Sequence, residues 1–478
     1  MHSALLFATA IGAGSPTPGP DPFPYDHQTQ TYVADIPTYS TDSTEPVTVT
    51  PYFSPDWPAN VTVALIDSAT HSIDIEIPSF ASWSGCTPFT DPPACTAACS
   101  AADVMKEKFP VVPALLNAMH LRGVKVRIMT NDFGTPDCAD TFSPLTLLAL
   151  NGAQVKWHNQ VTFMHAKYIA VDGARASISS INFSQTSFTK NREAGAVITG
   201  GCGPGGGGGG GGRGGKRACD DSLVAHIATA FNRDFARGVP AVPGTYSPAD
   251  LAIVTDPSEL PVNVPGPPTP PAHTPPYFVT PRPAPLTTAA SSLSLHASPD
   301  FAYTTLMAQL AATTSSFDLM IYQITSDALC DRMLAMAADP AIALRLFVSS
   351  RIFGDDDCAN AKKCYQRLWD AKVPVHMTTL HYTFSHQKFW IRDGDMVTWS
   401  TGNWSPSDFP APPADTPPSG VMKLPPYGQP GWVKANRDYT ITMKDAALAV
   451  PFQQVFDNDW AVGYDINLDT NFTISCGF

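Results

Sequence analysis

Residues 165–182 read HAKYIAVDGARASISSIN, and residues 386–403 read HQKFWIRDGDMVTWSTGN. The two stretches align without a gap at an offset of 221 residues, which carries His165 onto His386, Lys167 onto Lys388, Asp172 onto Asp393 and Asn182 onto Asn403. A register kept this long marks an internal repeat, and a repeat sets the architecture before any local detail does. In each copy an alternating apolar run ends in Asp-Gly, a strong hairpin signal, and a second alternating run returns. Residues i and i+2 of a strand share a face, so His165 projects with Lys167, and Ser180 with Asn182. In the second copy the pairs are His386 with Lys388 and Thr401 with Asn403.

The repeat extends outward. YFSPDWPANVTVALIDSATHSIDIEI from Tyr52 and HASPDFAYTTLMAQLAATTSSFDLMIYQI from His296 both give an SPD start signal, a helix-period pattern and a short β-like run. Helices are predicted over Val111–Leu121 and Asp327–Ala337, followed by the strands VKVRIMTND and LRLFVSS, and a further short helix and strand lead to each motif. Downstream, Asn191-Arg192-Glu193 answers Asn436-Arg437-Asp438 at an offset of 245, so the second half carries a 24-residue insertion. Both halves close on a helix pattern, AHIATAFNRDF and AVPFQQVFDNDW. The expected division is a Pro/Thr-rich segment outside the core at 1–50, a first domain at 51–239, a linker at 240–286 and a second domain at 287–478.

Composition fits two folded units with long connections. The chain has 478 residues, 44% of them apolar and 15% charged, too few charges for a solvated disordered chain. Of 47 prolines, 15 lie between Pro240 and Pro285, which predicts a semi-rigid connector. Residues 201–217, GCGPGGGGGGGGRGGKR, have no side chains to pack. A net charge of −13 argues against an extended nucleic-acid footprint. No run reaches the length of a membrane-spanning helix; Ala4–Gly14 resembles the apolar part of a signal peptide but has no basic residue before it. Ten cysteines and sequons at Asn60 and Asn471 point to an oxidising compartment, a secreted or endomembrane-lumen protein, with the cytoplasm as the alternative. Disulfides are suggested at Cys202/Cys219 and at Cys358/Cys364, which lie close in sequence; a zinc reading of Cys95 and Cys99 lacks a second pair.

Each half thus offers an imidazole, an ammonium, a hydroxyl and an amide in a small area, groups that bind a phosphate and attack it. Displacement at phosphorus needs a nucleophile on one side and an acid for the leaving oxygen on the other, and two inward-facing copies of one motif supply both. Histidine serves either role near neutral pH. Lys167, Lys388, Asn182, Asn403, Ser180 and Thr401 are the expected phosphate contacts. No acidic cluster suited to a divalent metal is evident, so neither a metal nor a cofactor is expected.

The paired H-x-K-x4-D-x6-G-S-x-N signature resembles that of the phospholipase D superfamily across both halves, roughly Tyr52 to Tyr464. The G-S pair departs from it, reading Ser179-Ser180 and Ser400-Thr401, with a hydroxyl kept beside each Asn. The resemblance implies an α/β fold of two pseudo-twofold-related α/β/α domains, each a mixed sheet flanked by helices, with one active site at their interface. It implies a phosphohistidine intermediate with His165 as nucleophile, His386 as acid and then base, and Glu193 and Asp438 as the carboxylates that hold each ring in its tautomer. The leading function is phospholipase D-type hydrolysis of glycerophospholipid head groups. The alternatives are a single-strand exonuclease and a cardiolipin-synthase-like phosphatidyltransferase. A monomer with a phospholipid or other phosphodiester substrate, compatible with peripheral membrane contact and without a transmembrane segment, is expected.

Other residues have structural readings. Asp172 and Asp393 sit in hairpin turns and are expected to form the turn. Arg192 and Arg437 are read either as phosphate contacts or as surface ion pairs. Phe389, Trp390, Trp399 and Trp404 are expected to pack beneath the sheet. The insertion 408–434 is either a lip whose Met422, Leu424, Tyr427 and Trp432 touch substrate or a disordered surface loop.

Overall fold

The computed structural model describes residues 28–86, 99–131, 142–200, 222–241, 246–256, 258, 278–378, 381–412 and 422–469. The signal-like Ala4–Gly14, the glycine tract, Cys95, Cys202, Cys219 and Asn471 lie outside them.

Two mixed sheets dominate. The first runs Val239–Pro240, Gln154–Trp157, Lys125–Thr130, Ser72–Glu76, Tyr168–Val171, Arg175–Ser179, Glu193–Gly200, Pro46–Ser54, Leu286–Ala289. The second repeats that order: Tyr464–Asp465, Val375–Met377, Ala343–Val348, Ser316–Ile321, Lys388–Arg392, Met396–Ser400, Asn436–Lys444, Leu293–Ser298. In both, Ser72–Glu76 or its counterpart Ser316–Ile321 is parallel to the next βαβ strand and antiparallel to the motif strand. Helices cover the outer faces: Pro58–Asp67, Val111–Arg122 and Pro144–Leu150 in the first half, Ala302–Ala311, Asp327–Ala337 and Asp355–Asp370 in the second. The period-2 pattern decides the layers. Ile73 and Ile75 enter the outer core of the first half and Phe317, Leu319 and Ile321 that of the second.

A third core lies between the sheets and draws on both halves, with Val49, Tyr168 and Ala196 against Leu295, Trp399 and Ile441. The helices Leu223–Arg237 and Ala446–Val462, the patterns that closed each half, pack into it through Phe231, Phe452 and Phe456. Of the four aromatics expected beneath the sheet, Trp390 and Trp404 lie in the outer core of the second half, whereas Phe389 and Trp399 lie between the halves. Trp399 Nε1 donates to the Ile178 carbonyl of the first half at 3.1 Å.

Each Asp-Gly turn has two left-handed residues, Asp172 (φ 54°) with Gly173 (φ 62°), and Asp393 (φ 52°) with Gly394 (φ 74°). These are the conformations of a two-residue hairpin turn. Asp172 accepts backbone N–H bonds from Thr70, His71 and Ser72, and Asp393 from Thr314, Ser315 and Ser316. Burial would raise the Asp393 pKa, but these backbone donors overcome it and hold the carboxyl down to about 2. Both aspartates therefore tie the motif hairpin to the neighbouring strand.

Several expectations change. Residues 28–50 are not outside the core: Tyr32–Val33 pairs with Lys423–Leu424 of the insertion, and Pro46–Ser54 is a strand of the first sheet paired on both sides, with Glu193–Gly200 and Leu286–Ala289. The insertion is therefore strapped down where it is described. Met422 and Leu424 are buried with Tyr32, Ala34, Val161 and Ala435, so their side chains serve packing, not substrate contact. Trp432 donates to Gln28 Oε1 at 2.8 Å and makes an edge contact with the exposed Tyr427. The Pro-rich connector contains a helix, Pro248–Thr255, whose Val254 is buried in the first half, and beyond it Leu286–Ala289 completes the first sheet. Cys364 pairs with Cys330, not with Cys358; a second bridge joins Cys86 to Cys99. Cys358 and Cys364 share the helix Asp355–Asp370, where six residues put about 9 Å of rise between them, too far for one disulfide. Among the described residues no helix is long and apolar enough to cross a membrane.

Candidate active site

The motif strands and the N-R-E and N-R-D strands meet at the interface, where each half completes the other. The His165 N–H donates to the Arg437 carbonyl at 3.0 Å, and the His386 N–H to the Arg192 carbonyl at 2.8 Å. The backbone of each histidine is thus fixed by the opposite half. So is its side chain: His165 Nδ1 lies 2.9 Å from Asp438 Oδ1, and His386 Nδ1 lies 2.7 Å from Glu193 Oε2. With Nδ1–H donating to a carboxylate, Nε2 of each neutral ring is the free lone pair, the tautomer a nucleophile or base requires.

Successive strand residues point to opposite faces, so Arg192 and Arg437 leave the site as Glu193 and Asp438 enter it. Neither sequence reading of these arginines holds, since both are fully buried. Arg192 pairs with Asp459 of the last helix, with Nε–Oδ2 2.9 Å, and donates to the Ser54 carbonyl. Arg437 pairs with Asp234 and Asp300, each at 2.8 Å, and donates to the Ser298 carbonyl. The SPD segments, read as helix starts, are therefore also receptacles for these guanidinium groups.

Lys167 and Lys388 are buried beside the histidines. Lys388 Nζ lies 3.0 Å from His386 Nε2 and 2.9 Å from the His386 carbonyl, whereas Lys167 Nζ bonds the His165 and Thr401 carbonyls. Burial, then the Lys167 cation, lowers the Lys388 pKa to about 7; burial against the pull of Asp438, Asp408 and Glu193 lowers that of Lys167 to about 8. Burial likewise takes His386 to about 4 despite Glu193, and His165 well below its ordinary value, with Lys167 adding to the effect. Burial would raise Glu193, but the His386 ring, Lys388 and the Ser180 hydroxyl keep it low and ionised. The site thus sets neutral imidazoles beside two lysines whose ammonium form an incoming anion would stabilise.

Ser180 and Thr401 are corrected from phosphate contacts to supports. Both are buried; Ser180 Oγ donates to Glu193 Oε2 at 2.8 Å and accepts from the Ala194 N–H, and Thr401 Oγ1 donates to Asp438 Oδ1 at 2.6 Å and accepts from the Tyr439 N–H. A hydroxyl has one proton to give, and here it goes to the carboxylate. Asn182 and Asn403 are half-buried with Oδ1 atoms that have no partner. Phe163 and Tyr322 flank the two rings, with centroids 5.8 Å from His165 and 4.9 Å from His386.

Sequence reasoning missed Asp408. It is buried, with Oδ1 3.5 Å from His165 Nδ1, and forms with His165 and Asp438 a cluster whose donor atoms lie within 4.8 Å of one another. An acidic group of this kind was not expected. Asp408 accepts from the Asn403 N–H and the Asn436 amide, and Asp438 Oδ1 accepts from Thr401 and lies against His165 Nδ1, whereas Asp438 Oδ2 is buried without a hydrogen-bond partner. Asp408 has no acidic counterpart in the first copy, so the repeat gave no signal for it.

A family model described as "Cardiolipin synthase, PLD-like domain" matches residues 62–201 and 306–412, more than half of the chain. No curated protein matches. Among solved structures, phosphatidylserine synthase from Haemophilus influenzae Rd KW20 aligns over 91% of this chain and 90% of its own, at 9% identity and a TM-score of 0.53. Nuc from Salmonella typhimurium, a phospholipase D family member, is covered over 98% of its length by 41% of this chain, at 20% identity and a TM-score of 0.28.

Proposed function

The chain belongs to the phospholipase D superfamily, a class of phosphoryl-transfer enzymes, and from that premise we propose that it hydrolyses the head-group phosphodiester of a glycerophospholipid through a phosphohistidine on His165. The observation that carries this reading is the crossed pair of hydrogen bonds, His165 to Asp438 and His386 to Glu193. They leave Nε2 of each ring clear of its carboxylate, one to attack phosphorus and the other to pass a proton to the leaving oxygen.

In the first step His165 Nε2 bonds to phosphorus as the bond from phosphorus to the leaving oxygen breaks. The leaving oxygen takes a proton from His386 Nε2, which Lys388 Nζ, 3.0 Å away, is placed to supply. His165 keeps its Nδ1 proton, and Asp438 faces the cationic phosphoimidazolium. Lys167 balances charge on the non-bridging oxygens, Asn182 and Asn403 donate to them, and Lys388 does so until it gives up its proton. In the second step water attacks phosphorus and gives its proton to His386 Nε2, which returns it to Lys388 Nζ, while the Nε2–P bond breaks, restoring neutral His165, neutral His386 and the Lys388 ammonium.

An alcohol in place of water gives phosphatidyl transfer. The family model's description favours this second reading. The test supplies phosphatidylcholine and phosphatidylglycerol vesicles to the pure protein and measures released choline, phosphatidic acid and transphosphatidylation products. Phosphatidic acid with free head group supports hydrolysis, and cardiolipin-type or glycerol-exchanged products support transfer. Cleavage of an end-labelled single-stranded oligonucleotide with vesicles left intact overturns the lipid assignment.

A further inference from the structure

The two histidine sites share one plan, a carboxylate on Nδ1 held by a hydroxyl, and differ in the number of carboxylates beside the ring. At the first-half position equivalent to Asp408 stands Ser187, and the surroundings match: Asp408 N–H donates to Ser405 Oγ at 3.0 Å and Ser187 N–H to Ser184 Oγ at 3.3 Å. The asparagines match too, with Asn436 Nδ2 on Asp408 Oδ1 at 2.5 Å and Asn191 Nδ2 on Ser187 Oγ at 3.4 Å. His386 therefore faces one carboxylate and His165 faces two. Room for the second comes from Gly402, where a Cβ would lie 2.9 Å from Asp438 Cγ and 3.0 Å from Asp408 Cβ; the first copy has Ile181 there.

We propose that Asp408 is a positioning residue for His165: paired with Asp438, it carries the proton of a two-carboxyl unit that sets the negative charge behind His165 Nδ1, an arrangement His386 lacks. The Lys167 cation and the Thr401 hydroxyl favour the ionised form of Asp438, whose charge in turn raises Asp408, so the proton of the pair is placed on Asp408. Burial raises both, with the Asp438 charge adding to the effect on Asp408, and each comes to about 6. The other charged groups facing the unit are Lys167, Lys388 and His165 itself, with Asp357 behind Asp408 and His386 across the site. Below the unit's titration one carboxylate stands behind His165. Above it there are two, which favour a cationic ring and hence the phosphoimidazolium. The consequence for rate rests on His165 being the nucleophile; the titration itself does not.

Two measurements test this. In wild-type protein with 15N-labelled histidine, the His165 signals, assigned through His165→Asn, are followed from pH 4.5 to 8. A step near pH 6 that is lost in Asp408→Asn or Asp408→Ser is expected, and a curve with no step there overturns the proposal whatever the substrate. Phosphoenzyme formation from bis(p-nitrophenyl) phosphate is then compared by burst kinetics. The ratio of wild-type to Asp408→Asn rates is expected to be at least about tenfold larger at pH 8 than at pH 5. A ratio independent of pH makes Asp408 merely structural and overturns its role. A step in the titration with no burst in wild type keeps the carboxyl pair and counts against the nucleophile reading.

Discussion

His165 and Asp438 are 273 residues apart in the chain and 2.9 Å apart in the fold. His386 and Glu193, 193 residues apart, mirror them at 2.7 Å. Neither half contains a complete site, because each ring takes its orienting carboxylate from the other half.

Asp438→Asn and Glu193→Gln should each lower kcat by on the order of 10³–10⁴-fold with KM little changed, since an amide can present N–H to Nδ1 and favour the wrong tautomer. Steady-state kinetics on bis(p-nitrophenyl) phosphate, with circular dichroism to establish folding, checks this. Equal loss through KM alone would contradict an orienting role.

His165→Asn should form no covalent phosphoenzyme. His386→Asn should accumulate one from a substrate with a p-nitrophenolate leaving group, which leaves without an acid while hydrolysis still lacks its base. Acid quench and intact-protein mass measurement distinguish the two; the reverse pattern would exchange the roles of the histidines.

Anion affinity should fall as pH rises. Lys388 and Lys167, lowered to about 7 and about 8, are ammonium groups at pH 6 and largely neutral by pH 9. Since the folded values lie below the ordinary lysine value, the positive charge is present below them and lost as pH rises through them. Sulfate, a dianion throughout this range, should bind more than about tenfold more weakly at pH 9 than at pH 6 by calorimetry.

The buried arginines should dominate the joining of the halves. Arg192→Met or Asp459→Leu alone breaks the buried pair and should cost about 3–5 kcal/mol. Arg192→Met combined with Asp459→Leu should cost less than the sum of its single variants. Urea unfolding of the four proteins measures the coupling.

The sequence by itself determined the two halves, their element order and the residue types of the site. Period-2 and period-3.6 patterns are local, and a gapless offset from His165 to Asn182 and from His386 to Asn403 repeats them. The resemblance to the phospholipase D superfamily that these motifs carry implied Glu193 and Asp438 as carboxylates for the histidines. A repeat, however, is unchanged when its copies exchange partners, so pairing within a half and pairing across halves read identically. Only the tertiary structure decided that the bonds cross. The same limit hid the duties of Ser180, Thr401, Arg192 and Arg437, because a hydroxyl or guanidinium is assigned by which acceptor lies within reach once the sheets face each other. Asp408 was hidden for the opposite reason: it breaks the repeat, and its meaning depends on the space at Gly402 and on a carboxylate 30 positions away being brought against the same imidazole. Burial then set the charges of all these groups, and burial is a property of the packed interface between the halves rather than of either motif.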